Sequence, residues 1–282
     1  MNPRLTTGRK RIHWHTQIEA SFNTNKGSVM DLGIRGKVAL VTACSSGLGA
    51  AIADRLAEEG AQLVLFSRNA DSLAVLADDL RHRHGADVTV CVGDMTCAQD
   101  VQGLAAQIVQ RHGGLDLLVL NSGRPPLKMQ TVMQETDPER WAQAHAVQFQ
   151  GPLRVVQAMV PLMAGRSQCR IVGVTSASVK QPMPMHALST VYRASVAGLL
   201  KHLANELAPQ GITVNMLLPG SIGTQALTAS YNSDERKHQV PLRRLGTPEE
   251  FAAVVAFFCS SHAGFITGAS LQVDGGMVAA LQ

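Results

Sequence analysis

The chain has 282 residues, 45% of them hydrophobic and 16% charged, which is enough for one large α/β domain with a substantial core. Its net charge of +4 lies wholly in residues 1–29, where Arg4, Arg9, Lys10, Arg11 and Lys26 face only Glu19; the remaining 20 basic and 20 acidic side chains balance. A balanced body gives no reason to expect a nucleic-acid partner, and no apolar run reaches the roughly eighteen residues of a membrane span.

Three readings of residues 1–29 stand side by side. They form a basic extension, expected to be disordered, that binds something acidic; they form a targeting segment; or translation begins at Met30, just before the first strand. The five cysteines are scattered without a C-x-x-C pair, which reads as reduced and cytoplasmic. His13/His15 and His82/His84 lack the partners of a zinc site, so no metal is expected.

From Lys37 onward, apolar runs and amphipathic segments alternate. Strand runs are expected at Val38–Thr42, Gln62–Phe66, Val88–Val92, Leu115–Leu120, Arg170–Val174, Ile212–Leu217 and Leu271–Val273. Helices are expected between them at Leu48–Glu59, Ala70–His84, Cys97–Arg111, Pro138–Met163, Ser189–Ala208 and Pro248–Ser260. Strands that are apolar throughout and separated by helices predict a parallel sheet covered on both faces. The fold class is therefore a single doubly wound, Rossmann-type α/β/α domain over residues 30–282. The segment 220–244 follows the sixth strand with no strong period; it reads as a substrate lid or as a plain surface loop.

The first strand runs into Thr42-Ala43-Cys44-Ser45-Ser46-Gly47-Leu48-Gly49 and then directly into a helix. Glycines there let the backbone approach a pyrophosphate, and a helix N-terminus supplies free N–H groups, although the same residues also fit an ordinary strand–helix turn. The loop resembles the T-G-x-x-x-G-x-G loop of the short-chain dehydrogenase/reductase family, with Ala43 in place of the first glycine. Further motifs in order extend the resemblance from about Gly36 to Met277. They are Asp94-Met95, Asn121-Ser122-Gly123, Pro219-Gly220 with Ile222 and Thr224, Arg244-Leu245-Gly246-Thr247-Pro248-Glu249-Glu250, Ile266-Thr267-Gly268 and Val273-Asp274-Gly275-Gly276. The resemblance implies cofactor contacts at Thr42, Ser45, Gly47, Leu48, Gly49, Asp94, Met95, Asn121, Gly123, Pro219, Gly220, Ile222 and Thr224. The end of the second strand carries Ser67-Arg68-Asn69 and no acid. Arg68 matches a ribose 2′-phosphate, so NADP is expected over NAD, unless Arg68 is merely a solvated strand-end residue.

The family's proton transfer uses a Ser, a Tyr thirteen residues on, a Lys four further, and an Asn on the preceding helix. Ser176 matches the Ser, but the counts reach Ser189, Arg193 and Gln148 instead of Tyr, Lys and Asn. An alkyl hydroxyl is a far weaker acid than a phenol, and a guanidinium is not the point charge of an ammonium. Arg193 could still bind the cofactor ribose. Tyr192 could supply a phenol by a shifted geometry, or pack at a helix–helix contact; Lys180 is a further candidate donor or a solvated lysine. Two functions follow. One is an NADP-dependent oxidoreductase acting on a small carbonyl or alcohol with a non-standard proton donor. The other is a nucleotide-binding sensor, or an oligomer partner, without turnover. The resemblance also implies a homotetramer or homodimer, with interfaces on the helices at 138–163 and 189–208.

Overall fold

The computed structural model describes residues 30–126, 128–230 and 232–281. The expectations for residues 1–29 lie outside them. Residues Leu32–Gln282 form one compact unit.

Seven strands, β1 (Val38–Thr42), β2 (Gln62–Ser67), β3 (Val88–Val92), β4 (Leu117–Leu120), β5 (Arg170–Val174), β6 (Thr213–Pro219) and β7 (Ser270–Val273), pair in parallel. The order is β3-β2-β1-β4-β5-β6-β7, so the chain reverses direction across the sheet between β1 and β4. Alternation along each strand sends side chains to two cores. Ala39, Val41, Leu63, Leu65, Val172 and Leu217 join one face, beneath α1 (Gly47–Glu58), α2 (Ala70–His84) and α9 (Pro248–Cys259). Val38, Leu40, Val64, Phe66, Ile171 and Met216 join the other, beneath α3 (Ala98–His112), α5 (Gly151–Met159) and α6 (Ala187–Leu207). Both faces are covered, which is why the strands are predominantly apolar on both sides.

Two expected elements differ. The helix expected over 138–163 is composite: α4 (Pro138–His145), a π-turn at Ala146–Gln150, α5, and a 3-10 turn at Val160–Met163. Pro152 and Pro161, at the start of the last two pieces, cannot donate to a continuous ladder. The segment 220–244 is not irregular, since it contains α7 (Gln225–Ser230) and α8 (Ser233–Gln239). Helix α8 has no apolar stripe to betray it. It is held by its cap, with the Asn232 side chain accepting from Asp234 N at 3.0 Å, and by a Lys237–Asp234 pair at 3.0 Å.

Candidate active site

A cavity of about 730 Å³ opens at the carboxyl ends of β1, β2, β4, β5 and β6. This is the crevice that a doubly wound sheet leaves where its strand order reverses. The ends of β1 and β4 are stitched together there. Thr42 Oγ1 donates to Asn121 O at 2.6 Å and accepts from Asn121 N at 3.0 Å, while Asn121 Nδ2 donates to Ala43 O at 3.1 Å. Thr42 is buried and stands off the cavity wall, where its hydroxyl serves this strand-to-strand role. Gly49 is also off the wall. A Cβ there would meet Ala43 O and Cys44 Cα at 2.6 Å, so glycine is needed for the helix to close onto the loop. Ser45, Gly47 and Leu48 do line the cavity, beside the open N-terminus of α1. Ala43 holds a positive φ of 49°, the left-handed conformation that the family's glycine adopts without strain.

At the end of β2, Ser67 Oγ donates to Ser45 Oγ at 3.1 Å, and both line the cavity with Arg68. Arg68 Nη1 lies 3.5 Å from Asp94 Oδ2. Burial works to raise the Asp94 carboxyl, but hydrogen bonds from Thr96 and the Arg68 guanidinium outweigh it and hold it below its ordinary value. Met95 lines the same wall, and Arg154 fixes its loop by donating to Met95 O at 3.1 Å and Thr96 O at 3.0 Å. Asn121, Gly123, Pro219, Gly220, Ile222 and Thr224 complete this part of the wall. Gly220 is required by contact: a Cβ would sit 2.5 Å from Asp274 Cβ.

At the opposite end stand Ser176, Ser189, Arg193 and His186. Ser176 Oγ accepts from Ser178 N at 3.2 Å and from Ser178 Oγ at 3.0 Å, capping the turn Ala177–Val179. Arg193 is buried and spreads its fork over three carbonyls, Val174 O at 2.9 Å, Gly123 O at 3.3 Å and Ser122 O at 3.5 Å. Burial pulls its pKa down to about 10, so it remains charged at neutral pH. It therefore ties the ends of β4 and β5 to α6.

Three expected catalytic residues stand off the cavity wall. Tyr192 instead packs on Trp141, ring centroids 6.0 Å apart, and on His145 at 5.5 Å, the helix–helix contact that was its alternative reading. Gln148 is wholly buried in the π-turn, and neither of its amide atoms has a partner among the described residues. Lys180 lies just past the Ala177–Val179 turn and also misses the wall. The residue that the sequence did not point to is His186. It precedes α6 at the N-cap position, three residues before Ser189, and its Nδ1 is 2.7 Å from Pro184 O. Burial, aided by the nearby Arg236 charge, lowers its pKa despite the Pro184 bond. Its side-chain type was the one available signal, because nothing in its spacing matches the family's motif.

Comparison with known proteins agrees with this architecture. A family model described as enoyl-(acyl carrier protein) reductase matches residues 42–278. The human protein "Dehydrogenase/reductase SDR family member 4" is 37% identical over 247 residues, covering 86% of this chain and 88% of its own. The chain belongs to the short-chain dehydrogenase/reductase family. Among solved members, L-sorbose reductase from Gluconobacter frateurii, complexed with NADPH and L-sorbose, superposes with a TM-score of 0.82 at 32% identity, over 89% of this chain and all of that one. An NADPH-bound short-chain oxidoreductase from Pseudomonas aeruginosa, described as containing an atypical catalytic center, gives a TM-score of 0.81 at 31% identity, over 86% and 97%.

The chain is accordingly an oxidoreductase-family protein with an NAD(P)-type Rossmann fold. In this short-chain dehydrogenase/reductase the loops after β1, β2 and β3, the residues at the start of α6 and Met277 share one cavity. Among the described residues, no helix is long and apolar enough to cross a membrane, and no cluster of His, Cys, Asp or Glu could hold a metal ion.

Proposed function

We propose that the protein is an NADP(H)-dependent reductase of a small carbonyl compound, working also in the alcohol-oxidising direction, with His186 as its proton donor. The cofactor preference rests on the wall residues Ser45, Ser67 and Arg68: two hydroxyls and a guanidinium, with no carboxylate at 67–69 to meet a ribose 2′-hydroxyl. Arg68 would leave Asp94 for a phosphate, which offers its fork a better acceptor. Gly47, Leu48 and the α1 N-terminus would hold the pyrophosphate. The bound nicotinamide supplies the hydride that reaches the carbonyl carbon.

The observation that carries the reading is His186 on the same wall as Ser176 and Ser189. A carbonyl can only accept, so the contact with Pro184 O puts a proton on Nδ1 and leaves Nε2 as the nitrogen that titrates. In reduction, protonated Nε2 gives its proton to the carbonyl oxygen as hydride arrives at carbon; in oxidation, neutral Nε2 takes the hydroxyl proton. Ser189 and Ser176 orient that oxygen by hydrogen bonding. Segment 220–244 acts as a lid, since Leu227 and Arg236 of its two helices reach the wall. We also infer assembly as a homodimer or homotetramer through α4–α5 and α6, and a cytoplasmic setting, which the five free cysteines support.

The second reading, a nucleotide sensor without turnover, is favoured by Tyr192 being packed away from the cavity. Fluorescence titration with NADPH and NADH, followed by NADPH oxidation against a panel of ketones and aldehydes, separates the two. Tighter NADPH binding with turnover is expected. His186→Gln should then lower kcat by about 10²–10⁴-fold and abolish the loss of reduction as pH rises through the His186 titration. Because the His186 pKa is lowered, wild-type reduction should gain as pH falls below about 6.5, and oxidation should gain as pH rises. Tight binding with no turnover would establish the sensor.

A further inference from the structure

The loop that carries His186 takes its shape from its neighbours. It reads Gln181-Pro182-Met183-Pro184-Met185-His186, and its two prolines have no N–H to donate. Met185 sits at φ 59°, which a residue with a side chain holds only where its surroundings impose it. Both ends of the loop are pinned. Ala187 N donates to Gln130 O at 3.3 Å, and Gln181 N donates to Ala177 O at 3.3 Å, in the turn that Ser176 caps. The Gln181 side chain makes a longer connection: its Oε1 accepts from Ala279 N at 2.9 Å. The segment supplying that donor is itself anchored. Asp274, just past β7, accepts from Gly276 N at 2.9 Å and from Val278 N at 2.8 Å. Gly220 N donates to Val273 O at 3.0 Å, which fixes the base of the segment to the end of β6. Midway, Met277 lines the cavity, where its Sδ accepts from Ser221 Oγ at 3.7 Å.

Building on the reductase reading, we propose that residues 274–279 form a strap that sets the His186 loop at the cavity, with Gln181 as the positioning residue it grips. The path is continuous: from β6 and β7 through Asp274 to Ala279, across to Gln181, and along the loop to His186. A proton donor acts only within roughly 3 Å of the oxygen it serves. One slack end of the loop would let the imidazole drift off that distance, and the Ala279–Gln181 bond takes up the slack. Met277 belongs to the same segment, so the strap places a piece of the cavity wall and the proton donor together. Gln181 is exposed, and replacing it leaves the core intact.

The test cuts this one bond from either side. Gln181→Leu removes the acceptor and Ala279→Pro removes the donor, while Gln181→Glu keeps an acceptor in place. Amide hydrogen exchange of the full chain and steady-state reduction of 4-nitrobenzaldehyde with NADPH are measured on each. Losing one exposed hydrogen bond should quicken exchange across residues 183–187 by about 3–10-fold. The displaced imidazole should lower kcat several-fold while the KM for NADPH stays unchanged, a split that general destabilisation would not produce. The double variant should be no slower than the slower single, since both remove the same bond, and Gln181→Glu should match the wild type. Unchanged exchange at 183–187 in both single variants would overturn the strap, as would a Gln181→Glu as impaired as Gln181→Leu. Quickened exchange with unchanged kcat, in an enzyme that His186→Gln disables, would overturn it too. Quickened exchange in a protein that reduces nothing, or that His186→Gln leaves fully active, would keep the strap and sink the reductase reading.

Discussion

Ala43 shows what one methyl group costs in the tight loop after β1. Its backbone sits at φ 49°, and its carbonyl is held by Asn121 Nδ2, so the loop cannot relax to a commoner conformation. A left-handed alanine costs roughly 1–2 kcal/mol, against which glycine loses more chain entropy on folding. Ala43→Gly is therefore expected to stabilise the protein by about 0.5–1 kcal/mol, read as a higher urea midpoint at unchanged m-value. An unchanged or lowered midpoint would show that the methyl group, packed at the edge of the core, matters more than the strain. Arg193 makes a contrasting case. Its fork serves carbonyls just after β4 and on β5 that a lysine ammonium could not reach together, so its role in the fold differs from that of the lysine of the family pattern.

At the scale of elements, two polar groups decide how the sheet and helices meet. Asp116, just before β4, accepts from Val38 N at 2.9 Å and from both sides of the Arg166 guanidinium at 2.9 and 2.8 Å. Burial opposes its ionisation, yet the Arg166 fork and the Val38 N–H hold its pKa below the usual carboxylate value. A folded-state pKa below the unfolded one means stability that is present above pH ~4 and lost as pH falls through the carboxylate range. Asp116→Asn should cost about 2–3 kcal/mol at pH 7 and flatten the acid limb of the stability profile between about pH 5 and 2. Gln148 is the opposite kind of group. Its amide lies fully buried in the π-turn between α4 and α5, with no partner among the described residues. Replacing it by the isosteric, apolar Gln148→Met should raise stability by about 1 kcal/mol or more in a thermal or urea melt. A clear loss of stability would show that the amide is satisfied within the folded protein.

Over the whole molecule, the parallel sheet places every βα loop at one edge, and the cavity is the sum of those loops. Helices α7 and α8 cover that edge without contributing a large apolar face, since α8 reads Ser-Asp-Glu-Arg-Lys-His-Gln. Elements so weakly buried open at low free energy, and a ligand that binds beneath them closes them. NADPH is expected to slow amide hydrogen exchange across residues 225–239 more than in α9, whose capping box of Thr247 and Glu250 and buried Phe251 already fix it. Equal protection in both would remove the lid.

The alternation of apolar strands and amphipathic helices determined the doubly wound fold by itself, because periodicity is a local property and a parallel sheet must be covered on both faces. The motifs of the family resemblance, with the end of the second strand, pointed to Ser45, Gly47, Leu48, Arg68, Asp94 and Asn121, and all six line the cavity. It could not say that Thr42 bonds β4 instead of lining the cavity, nor that Tyr192 faces Trp141. One helical position decides whether a side chain meets the cavity or a neighbouring helix, and spacing by itself does not tell which face the neighbour covers. Arg68, Ser176 and His186 belong to three separate stretches of the sequence, and His186 matches no motif. Only the tertiary fold brings them to one cavity wall, because long-range packing sets the distance between residues remote in sequence.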